Sequence, residues 1–328
     1  MLSLPHVNLR GLTLFAILKS RLRHSGLFLR KKYGLLYSEI LSSDAVFAHS
    51  ITSNIGDLVC CPLHYFPHIF CNGKEVSNQM LARFIQEAGA ARLLDLLNGR
   101  PVIFGGGGLI GMERHNNHTD VLQVLSEYAL RGGKVVLWGV GHNRISDFET
   151  WYRDHKNHPY PAFIRNFLVG VRDQNVSHNW VPCVSCMCSV FDKKYEAENE
   201  VAAFLHGDES DGFLKHLDGV PVYYNLGKNN RSDRWASFEA AIAFIASAKL
   251  IVTNSYHGAY WAKLLQRDVI AIPNSSKFLS FKYNITLCPD IAAWKHYRSS
   301  SSSNCDALSE CRTANSDFSL RVVEFLRS

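Results

Sequence analysis

No stretch of about 18 consecutive apolar residues occurs in this chain of 328 residues, so no transmembrane helix is expected. The apolar segment 12–18 is short and flanked by bases. Lys19-Ser20-Arg21-Leu22-Arg23 follows it, where a signal peptide would need small residues for cleavage. A cytoplasmic protein is the expectation. The nine cysteines are an odd number, with Cys60 and Cys61 adjacent and Cys183, Cys186 and Cys188 clustered, a pattern unlike a disulfide framework. Only 22 Gly and 10 Pro exclude a collagenous or low-complexity chain. A hydrophobic fraction of 47% with 20% charged residues excludes disorder for most of the length.

Acid is missing from the N-terminus. Before Glu39 stand seven bases (Arg10, Lys19, Arg21, Arg23, Arg30, Lys31 and Lys32) and no Asp or Glu. Without them the chain holds 28 Lys+Arg against 29 Asp+Glu, although the whole carries +6. The body is therefore not a polyanion binder, and no basic stripe with interleaved aromatics points to nucleic acid. The arm at 10–37 mixes Leu, Phe and Ile with bases. It reads either as a helix on an anionic membrane surface or as a helix packed on the body with a solvated basic face.

Strand and helix signals alternate, which implies an α/β protein with parallel sheets. Strands are expected at Ala45–His49, 101–104, 134–138 and 167–171, then at 201–205, Val222–Tyr224, 250–253 and 269–273. Helices are expected from 119 or 120 to Leu130, over 237–248 and over 260–265, and a last amphipathic piece over 318–326 is expected to dock back. The resulting division is a basic arm at 1–40, an N-terminal α/β domain at 41–178, a second at 179–298, and a Ser-rich linker with a C-terminal helix at 299–328. No internal repeat is found.

In open α/β sheets ligands bind beyond the carboxyl ends of the strands, and the motifs of this chain fall there. Asn54-Ile55-Gly56-Asp57 offers a tight turn, amides for an anion, and in Asp57 a partner for a sugar hydroxyl, a base, or a helix N-cap. Gly105-Gly106-Gly107-Gly108 lets backbone amides approach a ligand or lets the loop pack closely; no Gly-Lys-Ser/Thr follows, so it is not a nucleotide-phosphate loop of the Walker kind. Gly139-Val140-Gly141-His142 adjoins it if the two strands are neighbours. Val171-Arg172-Asp173 places a cation at a strand end, for a carboxylate or phosphate or for a structural pair with Asp173. In Asn254-Ser255-Tyr256-His257-Gly258, His257 stands at a helix start, where the dipole favours a neutral imidazole able to act as a base, and Ser255 with the first amides could hold phosphate. The Cys-x-x-Cys at Cys183–Cys186 would need two further ligands at suitable spacing to hold zinc, and the fifteen His offer chance partners; a thiol loop near the surface or partly buried cysteines is the favoured reading, and no metal is assigned.

Together these motifs resemble the polysaccharide pyruvyl transferase family. Asn54–Asp57, Gly105–Gly108 with Leu109, Gly139–Gly141, Val171–Asp173 and Thr253–Gly258 carry the resemblance through their order over residues 45–290. The most specific piece is FEAAIAFIASAKLIVTNSYHGAYWAKLL at 238–265. The resemblance implies two Rossmann-like domains facing a cleft, similar to the GT-B glycosyltransferases. It implies transfer of a pyruvyl group from phosphoenolpyruvate to two hydroxyls of one sugar, giving a cyclic ketal, with no cofactor. The acceptor would be a sugar or lipid-linked oligosaccharide in a surface or extracellular polysaccharide precursor. His257 is the expected acid/base, with a pKa near neutrality. Arg172, Ser255, Gly258, Lys277 and Arg144 are the expected donor-binding residues. Asn54, Gly56, Asp57, Gly106, Gly107, Gly108, Gly141 and His142 are the expected substrate-binding residues. The chain departs from the family pattern at Ser255, where many members carry Arg; Lys277 and Arg144 are candidates to supply that cation. The alternatives are a glycosyltransferase of the same architecture using a nucleotide sugar, and a non-catalytic member of a polysaccharide-assembly complex.

Overall fold

The computed structural model of the protein describes residues 26–110, 117–143, 162–174, 179–207, 210–227, 232–297 and 306–328. Arg144 and the serine run 299–303 lie outside them. The chain builds two parallel sheets. The first contains β1 (Ala45–His49), β2 (Gly73–Ser77), β3 (Val102–Gly105), β4 (Val135–Val140), β5 (Leu168–Val171) and β6 (Asn179–Trp180), in the order β2-β1-β3-β4-β5-β6. The second contains β7 (Asn199–Leu205), β8 (Val222–Tyr224), β9 (Ala248–Thr253), β10 (Asp268–Ala271) and β11 (Thr286–Leu287), in the order β11-β10-β9-β7-β8. Every pairing is parallel. In each sheet the order reverses beside the first strand, between β1 and β3 and between β7 and β9. Those crevices are where an open parallel sheet holds ligands.

The central strands are mostly apolar because both faces are covered. In the first sheet Val46, Ala48, Val102, Phe104, Val135 and Leu137 share a core with the helices Asn78–Ala88 and Asn117–Leu130. The alternate positions Phe47, Ile103, Val136 and Trp138 face Phe318 and Val322 of the C-terminal helix Ala307–Arg327. That helix returns as expected but starts earlier, and Asn315 accepts the Trp138 indole N–H at 2.7 Å. In the second sheet Ala202, Phe204 and Ile251 pack on the helices Arg234–Ala246 and Tyr256–Leu264.

Of the basic arm, the described part is packed. Leu29, Tyr33, Leu36 and Ile40 sit in the first core, while Leu35 and Leu41 face outward at 65% and 53% exposure. No helix among the described residues is long and apolar enough to cross a membrane.

Candidate functional site

The carboxyl ends of the two sheets meet. Beyond β1, residue Asn54 forms an antiparallel bridge with Leu226 beyond β8, and Ile55 donates its N–H to the Asn225 carbonyl at 3.4 Å. Asn54, not Asp57, caps the short helix Ile55–Leu58, taking the Gly56 N–H at 2.9 Å. The same Asn54 oxygen accepts from the Asn225 amide at 2.9 Å, and that amide also reaches Ser255 Oγ at 3.4 Å. Asn225, which no sequence motif marks, thus joins the first motif of one half to the last motif of the other.

Ser255 caps the helix Tyr256–Leu264, accepting the Gly258 N–H at 3.3 Å, so its hydroxyl is engaged in the fold. Gly258 is small for a packing reason: a Cβ there would lie 2.5 Å from Thr253 Oγ1 and 2.6 Å from Phe204. His257 follows in the first helical turn, buried at 5% exposure. Its Nδ1 side abuts Gly56, where any Cβ would overlap the imidazole. Its ring lies 5.2 Å from Trp261. Its Nε2 is buried and has no hydrogen-bond partner. Burial first, then the charges of Arg172 and Lys277, push its pKa down to about 3. The imidazole is therefore neutral at pH 7, but its pKa lies far below the near-neutral value expected for it, with desolvation the largest cause and the two cations next.

Arg172 acts on the charge of this histidine from the end of β5 in the first sheet. Its side chain is buried, and its guanidinium lies 3.8 Å over the ring of Tyr256, a cation–π contact in a desolvated place. Its Nε has no hydrogen-bond partner. Gly141 leaves the room it needs, since a Cβ there would sit 2.6 Å from Arg172 Nε and 2.8 Å from Asp173 Oδ1. Asp173 accepts the His142 backbone N–H at 2.6 Å, which ties the end of β5 to the end of β4. Lys277, on the turn Ser276–Phe278 after β10, is half-buried. Asp57 is pushed up by burial, against the Thr52 hydroxyl that donates to it at 2.9 Å and the charges of His49, Arg172 and Lys277. Asn254 has a buried Nδ2 without a partner while its Oδ1 accepts from His206 N–H at 2.7 Å.

The glycine run is mostly filled by protein. A Cβ on Gly105 or Gly106 would strike Cys60, and one on Gly108 would strike Asn143 at 2.5 Å. Gly107 is needed for its backbone, at φ 81°. The run zips to the next strand end, with Gly141 N–H on the Gly107 carbonyl at 3.0 Å and Ile110 N–H on the Gly141 carbonyl at 3.1 Å. The cysteine segment packs against the helix that carries His257. The Tyr260 hydroxyl donates to the Cys183 carbonyl at 2.9 Å and the Trp261 indole donates to Ser185 at 3.0 Å. Burial raises the Cys183 and Cys186 thiols. Among the described residues no group of three His, Cys, Asp or Glu is placed to hold a metal.

Two parallel sheets whose strand ends meet, with the buried His257 there and the charges of Arg172 and Lys277 acting on it, make this an α/β protein with a neutral histidine at the junction of its strand ends. The sequence profile of the polysaccharide pyruvyl transferase family matches residues 88–276, more than half of the chain, and the protein belongs to that family of transferases. No curated protein matches it significantly. Among solved structures it is similar to the uncharacterised protein KP1_0663 from Klebsiella pneumoniae subsp. pneumoniae NTUH-K2044, at 18% identity, a TM-score of 0.38, and coverage of 75% of this chain and 88% of that one.

Proposed function

We propose that the protein moves a pyruvyl group from phosphoenolpyruvate onto two hydroxyls of one sugar in a surface-polysaccharide precursor, forming a cyclic ketal between two Rossmann-like halves of GT-B type. The observation that carries this reading is His257: buried, neutral, with an unpartnered Nε2, and flanked by Arg172 from one half and Lys277 from the other. A small trianion needs concentrated positive charge, and the charges of Arg172 and Lys277, both felt by His257, support this reading. Arg172 and Lys277 stand in for the cation that Ser255 replaces. Ser255, being a cap, contributes through the helix start it organises.

The reaction balances without another reagent. The donor's methylene carbon gains a proton, which leaves its central carbon electrophilic. One sugar hydroxyl adds there and loses its proton. The second hydroxyl then displaces phosphate and closes the ring, its proton leaving with the phosphate. His257 Nε2 is the group that takes and gives protons. Binding the trianion offsets the two cations, which after burial are the further causes of the depression, so the proton affinity of the imidazole rises when the donor is present. The donor thus switches on the base that acts on it. A membrane-borne, lipid-linked acceptor fits the outward Leu35 beside the exposed bases Arg30 and Lys31.

Calorimetry with phosphoenolpyruvate, run beside a nucleotide-sugar panel, tests the reading. Saturable phosphoenolpyruvate binding that is lost in Arg172→Ala supports it. Binding of a nucleotide sugar without phosphoenolpyruvate binding overturns it in favour of glycosyl transfer.

A further inference from the structure

A second polar and aromatic cluster lies on the seam between the halves, outside the anion site. Arg234 opens the helix Arg234–Ala246 of the second half and crosses to the first. Its guanidinium donates to Glu75 Oε2 at 2.9 Å and to the Leu58 carbonyl at 3.4 Å, and lies 2.8 Å from His64 Nε2. His49 also meets Glu75, at 3.1 Å, and its Nδ1 meets the Asp57 carbonyl at 3.0 Å. Burial works to raise Glu75, but His49, His64 and Arg234 outweigh it and hold the carboxyl down to about 2. An ionised carboxylate and a planar guanidinium, both partly open to water, stand side by side.

Next to them Trp235 is 43% exposed. Its indole is pinned edge-on by two rings, His64 at 5.3 Å and Tyr65 at 6.1 Å. Tyr65 is itself tied by its hydroxyl to the Val59 carbonyl at 2.8 Å. A latch between halves needs only the Glu75–Arg234 pair; it gives no reason to keep a large apolar ring in water at a fixed angle. A sugar does. One face of a pyranose is a set of C–H groups that complements the negative face of an indole, and its rim of hydroxyls needs charged partners of both signs.

The place fits the reaction. Arg234 is bonded to Leu58, and Gly56, against His257, is two residues away, about 3 Å along the helix axis. We infer that Trp235, backed by His64 and Tyr65 and flanked by Glu75 and Arg234, is a stacking subsite for the sugar unit neighbouring the one that is ketalated. This subsite rests on the proposed pyruvyl transfer, since it assumes a sugar acceptor longer than one unit.

The test is saturation-transfer NMR on the full chain with phosphoenolpyruvate present. The probes are methyl glycosides and disaccharides of glucose, galactose, mannose and N-acetylglucosamine. The wild type is expected to contact a disaccharide more strongly than its parent monosaccharide. Trp235→Ala is expected to weaken that contact about tenfold, and Trp235→Phe, which keeps an aromatic face, by no more than about threefold. Equal affinity in wild type and Trp235→Ala overturns the subsite. So does a wild type that binds phosphoenolpyruvate and none of the sugars. Calorimetry on the same samples separates the two ideas: absence of phosphoenolpyruvate binding in the wild type removes the transfer reading, whereas its presence with any of those sugar results removes the subsite alone.

Discussion

Gly56 and His257 occupy adjoining space across the two halves: the glycine has no Cβ, and the imidazole Nδ1 stands where that Cβ would be. One residue of the first motif therefore sets the position of the expected base in the last. Gly56→Ala should push the ring off its place. Activity is expected to drop by about a hundredfold, since a displacement of order 1 Å at a reacting group has that cost. The fold should lose about 1–3 kcal/mol, the usual cost of overpacking. Steady-state kinetics beside a denaturant titration check both, and full activity in a folded variant would refute the positioning role.

The histidine should change its proton affinity with the ligand. Nitrogen-resolved NMR of the free protein is expected to show a neutral His257 that titrates near 3. Phosphoenolpyruvate should move that midpoint upward, toward the ordinary 6.5. The same shift should fade in Arg172→Ala, where one depressing charge is already gone. A midpoint indifferent to the donor would sink the switch.

Tyr256 carries Arg172 on its ring face. A desolvated cation–π contact is worth roughly 2 kcal/mol, so Tyr256→Leu should raise the donor KM by about 10- to 30-fold. Tyr256→Phe should stay near wild type because the ring, not the hydroxyl, does the holding. Equal loss in both variants would point to the hydroxyl instead.

Stability should fall in acid over a defined range. The folded histidines resist protonation down to about 4 for His64 and about 3 for His257, while unfolded histidine takes a proton near 6.5. Glu75 is held ionised to about 2 against 4.5 unfolded. In each case the unfolded chain binds more protons in the window between the two values. Stability is therefore present above 6.5 and is lost progressively as pH falls through these folded values. Urea titrations between pH 7 and pH 3 read the slope. His257→Gln should flatten it, and an unchanged slope would contradict the assignment.

For the arm, a deletion through residue 38 would strip Leu29, Tyr33 and Leu36 from the first core. Charge reversal at Arg30 and Lys31 is the cleaner test of membrane contact. The double Glu variant is expected to lose sedimentation with phosphatidylserine vesicles, in keeping with about 1 kcal/mol per basic residue near the surface. Sedimentation equal to wild type would retire the membrane contact.

Local sequence determined much of this protein. The apolar runs of β3 and β4 are buried on both faces, as strands of a parallel sheet covered by helices are. Ala45–His49 and Val222–Tyr224 stand where alternating signals place strands, and the order of strand-end motifs carries the family. Short or polar elements were not legible: β2 reads Gly-Lys-Glu-Val-Ser, an edge strand without an apolar run, and β6 and β11 have two residues each. Tertiary structure alone decided the rest. It brought Arg172 onto Tyr256, Asn225 between Asn54 and Ser255, and Trp235 onto His64, pairs far apart in the chain with no periodicity to announce them. It also decided the state of His257. A histidine's residue type sets an intrinsic pKa, but burial and the two cations that the fold delivers from opposite halves set the one it has.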